Sequence, residues 1–240
     1  MTDLDLLESL LNCATVEDLH AVTTKIAKQM GFEHFLYAVR INTSLTRPYQ
    51  FIFSGYPKQW REHYDASGYA YIDPTVHHCA KKVTPVIWDR QITNSRPVMQ
   101  MMSEAADCGL ESGASFAVHG GHGEVAMLSL ASSQKPLQAR KDIVTALGSA
   151  QLLTCYLHEA IQRIVLSKDA IPLQKINLTG REKECILWAA EGKTSGEIAD
   201  ILNISERTVI FHLQNAGQKM GVTSRQHAVS RAISMGLISP

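Results

Sequence analysis

No run of apolar residues in this 240-residue chain approaches the roughly 18–20 that a membrane-spanning helix needs. The acidic opening, MTDLDLLESL, lacks the basic flank of a secretory signal, so a cytoplasmic location with no membrane partner is expected. Cysteine is scarce: Cys13, Cys79, Cys108, Cys155 and Cys185 are odd in number and never spaced as CxxC, which argues against a disulfide framework and a zinc ribbon. Catalytic signatures are missing too. Without a GxSxG elbow or an HExxH, a hydrolytic set built from Ser129, Asp73 and a histidine has no motif behind it, and no enzyme is expected. The GGHGE stretch lacks the lysine of a phosphate-binding loop, and His119 and His122 read as turn or surface residues, so neither metal nor cofactor is expected. Net charge is also absent, 23 basic against 23 acidic residues, which taken whole speaks against a polyanionic partner.

What is present reverses that last impression. From Lys175 onward there are eight basic and six acidic residues, leaving 15 and 17 for the rest. Beyond Glu206 no acid remains, only Arg207, Lys219, Arg225 and Arg231, so neutrality overall conceals a local cationic surface. With 45% hydrophobic and 19% charged residues the chain has enough apolar material for two domains. A boundary falls at SKDAIPLQKINL, where a long amphipathic pattern ends and Pro172 intervenes. The expected division is residues 1–166, a linker at 167–176, and residues 177–240. Upstream of the linker, Ile143, Leu147, Ala150, Leu153, Leu157, Ile161 and Ile164 recur at helical steps, giving a long helix with one apolar face for a core or a second copy.

The first segment reads as an α-β-α sandwich. Helical patterns at about 3–30, 57–66, 73–81 and 97–108 surround the strand-like stretches FLYAVR, YQFIFS, PVIW, GASFAVH and EVAMLSLA. The short GGHGE connection implies an antiparallel sheet.

The last segment reads as four helices, an all-α helix-turn-helix domain. Thr179 with Glu182, and Thr194 with Glu197, have capping-box spacing; Ser205 and Ser224 cap two more helices, and Gly192 and Gly236 close helices. The turn NIS between the second and third helices forces a steep crossing, the geometry that sends a helix into a DNA major groove. An ordinary helical hairpin shares that spacing. The full string LTGREKECILWAAEGKTSGEIADILNISERTVIFHLQNAGQKMGV resembles the DNA-binding domain of LuxR-type regulators.

That resemblance implies binding to double-stranded operator DNA. Lys193 and Thr194 would meet phosphates at a helix start. Arg207, Thr208, His212 and Lys219 would add phosphate contacts, Ile210 and Gln214 would face base edges, and Ser205 and Asn215 complete the set. Ile210 and Gly217 depart from the family pattern. Ile210 leaves open a thymine-methyl contact or reliance on Gln214 and DNA shape, while Gly217 should weaken its helix by about 1 kcal/mol relative to alanine.

A second resemblance covers the front. YPKQWREHYDASGYAYIDPTVHHC, with Trp88 and Gly113, follows the pattern of the acyl-homoserine-lactone-binding domain of quorum-sensing LuxR-type regulators, notably their long-chain receptors. The residues themselves suit an apolar cavity that orients a polar head, although such a cluster also serves as an ordinary core edge. The resemblance implies that Asp73 accepts the ligand amide N–H, that Trp60 donates to the lactone carbonyl, and that Tyr56 and Ser129 hold the amide carbonyl with Thr75 in support. Arg61 would reach a 3-oxo group directly or through water, and Tyr64 and Trp88 would pack the ring. Leu36, Ala38, Ile52, Val76, Ala105, Leu110, Val125 and Met127 would form the acyl wall. Gln50, Thr93, Met101, Met102 and Met127 depart from the long-chain pattern, so tail length stays open. A homodimer on a two-fold operator, meeting RNA polymerase there, completes the implied partners. A different small molecule, a partner protein or no ligand at all are the alternative inputs.

Overall fold

The computed structural model describes residues 3–41, 48–89, 92, 95–120, 123–166 and 176–238. The linker up to residue 175, together with Gly121, His122 and Thr93, lies outside them. Contacts divide the chain into two compact units, the first carrying the sheet.

In that unit α1 spans Asp3–Asn12 and α2 spans Val16–Gln29, two helices where the periodicity suggests one. The break has a local cause. Thr15 Oγ1 accepts the Asp18 N–H at 3.1 Å while Asp18 accepts the Thr15 N–H at 3.2 Å, so a capping box restarts the helix. The strands β1 His34–Ile41, β2 Tyr49–Ser54, β3 Val86–Ile87, β4 Ser112–His119 and β5 Val125–Ser132 form one sheet in the order β2-β1-β5-β4-β3. The β1/β5, β5/β4 and β4/β3 pairs are antiparallel. Helices α3 Lys58–Ala66, α4 Pro74–Cys79 and α5 Arg96–Asp107 precede β4, and α6 Pro136–Ile161 follows β5. The long periodic helix thus begins earlier than its pattern and ends in a π-helical turn at Gln162–Leu166.

Register divides the sheet into two chemically different faces. Phe35, Tyr37 and Val39 share a face with Ala126, Leu128, Leu130, Ala114 and Phe116, all nearly inaccessible to solvent. Tyr37 Oη lies 2.7 Å from His158 Nδ1 of α6, which packs across β4 and β5 with α1 and α2 behind it. Each fully buried Leu or Phe there is worth about 1.5–3 kcal/mol of transfer free energy. The opposite face carries Leu36, Ala38, Met127, Ser129, Ala131, Gly113, Ser115 and Ala117, with smaller and more polar side chains. Helix α4 covers it along β4 and β5.

The second unit holds α7 Gly180–Ala190, α8 Ser195–Leu202, α9 Glu206–Lys219 and α10 Arg225–Ser234. All four begin where a hydroxyl caps them: Thr179, Thr194, Ser205 and Ser224 each accept a backbone N–H of the first turn. Asn203 closes α8 at φ 53°, the left-handed conformation that asparagine tolerates. Cys185, Ile198, Ala199 and Val209 pack together with Leu202 and Leu213. Ala216 lies in a separate cluster with Ile186, Met220, Ala228 and Ala232.

Gly217 also gains a role that propensity alone does not show. A Cβ there would stand 2.9 Å from the Val222 carbonyl oxygen, whose residue donates its N–H to Gly217 O at 2.9 Å. The missing side chain lets the chain after α9 turn back against the helix.

Candidate functional site

On the small-residue face of the sheet, apolar packing flanks a band of polar groups. Ring-bearing residues lie on one side: Trp60, Trp88, Val98, Met101, Ala105 and Leu110 form a buried cluster with Tyr56, Tyr64 and Tyr69 against it. Cys79, Ala117 and Met127 lie on the other, with Ala38 and Val76. Trp88 rests on Gly113, where a Cβ would come within 3.1 Å of the indole and collide with the Leu130 carbonyl oxygen.

The polar band is built around Asp73, the N-cap of α4. Its Oδ1 accepts the Thr75 N–H at 2.8 Å and the Thr75 hydroxyl at 2.7 Å; its Oδ2 accepts the Tyr64 hydroxyl at 2.9 Å. A carboxylate oxygen takes two hydrogen bonds, so Oδ2 retains one acceptor position. Trp88 donates its indole N–H to Ser115 Oγ at 3.0 Å, and Ser115 Oγ lies 2.7 Å from Ser129 Oγ. Tyr56 Oη is fully buried and makes no well-formed hydrogen bond among the described residues, although Ser129 lies close enough to interact with it. Burial and then the Asp73 charge raise the Tyr56 and Tyr64 phenols above their ordinary range, so both stay protonated donors. Burial likewise pushes the Cys79 thiol up to about 12.

Asp73, Thr75, Tyr56, Tyr64, Trp60, Trp88 and Ser129 therefore share one region, with Leu110, Ala105, Ala38, Val76 and Met127 in the flanking clusters. Leu36 lies buried on the same sheet face; Val125 is at its half-buried end, and Ile52 on β2 is 44% exposed. Arg61 is otherwise engaged. Its Nη2 donates to Asp65 at 2.9 and 3.0 Å, and its guanidinium stands 5.3 Å from the Tyr64 ring centre. Neither Ser129 nor Asp73 hydrogen-bonds a histidine among the described residues.

Sequence reasoning missed Ser115, which bridges Trp88 and Ser129, and Glu104. Glu104 of α5 accepts from Tyr69 at 2.5 Å and Gln100 at 2.9 Å, and meets His63 of α3 at 2.7 Å. These bonds hold its carboxyl down at about 2. Trp60 packs against both His63 and Tyr69, 6.0 and 6.1 Å between ring centres, so the Glu104 tie braces the indole from outside. A groove of about 570 Å³ lined by α1, α2 and α6, including Leu7, Ile26 and Ala146, lies away from this polar band.

In the second unit, Arg207, Ile210, Phe211 and Gln214 are exposed on α9, with Thr208, His212 and Asn215 half-buried beside them. Lys193 and Thr194 stand at the start of α8, where Arg225 donates to the Lys193 carbonyl. The Thr194 N–H and hydroxyl both reach Glu197, and Ser205 Oγ meets the Thr208 hydroxyl at 2.8 Å. Lys219, expected at a phosphate, has a side chain 38% exposed and also serves the fold. It donates to Glu182 at 2.7 Å and to the Asn177 carbonyl at 3.1 Å, because Glu182, whose side chain is 4% exposed, needs a cation.

Residues 15–161 match the family model described as the autoinducer binding domain, and residues 176–232 match that of bacterial regulatory proteins of the luxR family. The chain belongs to the LuxR family. VanR, a transcriptional activator of Vibrio anguillarum, is 37% identical over 93% of this chain and 92% of its own. LuxR of Aliivibrio fischeri is 32% identical, covering 98% of this chain and 93% of its own. Among solved structures, SdiA of Escherichia coli has a TM-score of 0.79 at 25% identity, covering 99% of this chain and 98% of its own. As a LuxR-family regulator the chain pairs an autoinducer-binding domain with a DNA-binding helix-turn-helix domain, and no helix among the described residues is long and apolar enough to cross a membrane.

Proposed function

We propose that this regulator is a quorum-sensing transcriptional activator that binds an N-acyl-homoserine lactone of long chain, with or without a 3-oxo group, between the small-residue face of the sheet and α3–α5. The observation that carries this reading is the buried Tyr56 hydroxyl beside Asp73 and Ser129, which makes no well-formed hydrogen bond among the described residues. A buried donor left unpaired costs about 1–3 kcal/mol, and a ligand carbonyl removes that cost. Asp73 Oδ2, with one acceptor position left, suits the ligand amide N–H; Trp60 would donate to the lactone carbonyl and Ser129 to the amide carbonyl. The apolar clusters on either side suit the lactone ring and the tail. Arg61 reaches a 3-oxo group only by sharing its guanidinium with Asp65. No cofactor takes part.

Loaded chains form a homodimer, for which α6 offers the exposed Val144 and Leu152, and bind two-fold operator DNA in the cytoplasm, where RNA polymerase is the further partner. Lys193, Thr194, Arg207, Thr208, His212 and Lys219 meet the phosphate backbone, Ile210 and Gln214 meet base edges, and Ser205 and Asn215 complete the DNA-binding surface. The division at 1–166, 167–176 and 177–240 follows these tasks.

One observation favours a second reading of the ligand alone: a solved structure of SdiA, 26% identical with a TM-score of 0.79, holds octanoyl-rac-glycerol. A monoacylglycerol shares the polar-head, oily-tail plan. Mass spectrometry of small molecules released by unfolding the purified protein separates the two. An acyl-homoserine lactone supports the first reading, and an acylglycerol or an empty chain overturns it.

A further inference from the structure

The second helix of the helix-turn-helix presents two adjacent apolar side chains outward. At 100° per residue, Val209, Leu213 and Ala216 face inward on α9, while Arg207, Phe211, Gln214 and Gln218 occupy the opposite side with Ile210 at its edge. Ile210 is 41% exposed and Phe211 56% exposed. Each alone would be unremarkable; side by side on the outward face of this helix they form an apolar reading surface. The His212 ring, 5.7 Å from Phe211 in an edge-on arrangement, limits how far the phenyl can turn away.

Charge favours a duplex as the occupant. The sequence holds no acid beyond Glu206, so nothing on the remainder of α9 repels phosphate, and Arg207 lies on the same face. In the major groove nearly every base-edge group is a hydrogen-bond donor or acceptor. The thymine 5-methyl is the apolar exception. Gln214, one turn beyond Ile210, has the amide that matches adenine N6 and N7.

We infer that Ile210 and Phe211 read thymine methyl groups, so that the preferred half-site places thymine opposite them and adenine within reach of Gln214. This rests on the DNA-binding role and specifies its readout.

The test uses full-length protein prepared with N-dodecanoyl-homoserine lactone and duplexes selected by it from a randomised library. Selected half-sites carry two invariant thymines. Replacing either by deoxyuridine removes one methyl and weakens binding about fourfold, ~0.8 kcal/mol. Ile210→Ala abolishes the thymine-to-uracil difference at one position and Phe211→Ala at the other, with thermal unfolding unchanged. Thymine and deoxyuridine duplexes bound equally well, in a salt-sensitive and sequence-selective complex, would overturn the inference and leave the DNA-binding role intact. Failure to select any duplex would remove both. Alanine variants that keep the full thymine preference but lose a protein partner would assign the two side chains to protein docking instead, and overturn it as well.

Discussion

The two units are stabilised in different ways. Helices α7–α10 all start on hydroxyl caps, and the buried Glu182 is paired with Lys219. In the sensor unit, α3, α5 and α6 start without a side-chain cap bond, and a buried phenol beside Asp73 makes no well-formed hydrogen bond among the described residues. The C-terminal unit supplies these caps and this counter-charge from its own sequence, although its buried Arg231 Nε also lacks a partner among the described residues; on the proposed reading the sensor unit leaves the Tyr56 phenol for a ligand. On that reading, folding of the sensor would be coupled to ligand concentration while the DNA-reading part stays folded without it.

The largest test of that contrast is ligand linkage. N-dodecanoyl-homoserine lactone at 100 times its dissociation constant should add about 2.7 kcal/mol to the sensor transition in thermal unfolding and leave the C-terminal transition in place. Asp73→Ala should abolish that shift and the lactone response in a reporter assay. Next comes the ion pair. Lys219→Met should cost the C-terminal domain about 1–2 kcal/mol in denaturant unfolding, allowing for the half-open ammonium. Burial raises the Glu182 carboxyl, but the bonds from Lys219 and Thr179 outweigh it and hold it below its ordinary value. A carboxyl lowered by folding stabilises above its unfolded pKa, so this contribution is present at neutral pH and lost on acidification below the usual carboxylate range. Lys219→Met should flatten that acid limb.

A smaller effect tests packing against propensity. Gly217→Ala gains about 1 kcal/mol of helix propensity, yet its Cβ meets a backbone oxygen at 2.9 Å. Overpacking costs about 1–3 kcal/mol, so the net outcome should be a loss, and a raised melting temperature would refute the close approach. The smallest expected change is at Glu104→Gln. Loosening the brace on Trp60 should speed lactone release measured by competition without altering DNA affinity in ligand excess.

Local signals made the DNA-binding half legible. The Thr179, Thr194, Ser205 and Ser224 caps, the NIS turn and the closing glycines each act within a few residues, so spacing alone located the helices. The strands were readable too, β2 from alternation and β1, β4 and β5 as short, largely apolar runs buried over most of their length. What sequence could not show was tertiary: that Lys219 is held by a residue 37 positions earlier, that Gly217 makes room for Val222, and that Ser115 links Trp88 to Ser129 across the sheet. The α1/α2 break was missed because its capping box carries Asp18 where Glu or Gln is the usual signature. The polar band was visible as residue types, but its incomplete hydrogen bonding is a property of the fold.

The most direct measurement is the small-molecule content of DNA-binding-competent protein, released by unfolding and weighed by mass spectrometry. One lipid-tailed lactone per chain is the predicted result. Full operator binding by chains that release no ligand would contradict the claim that a guest completes the sensor.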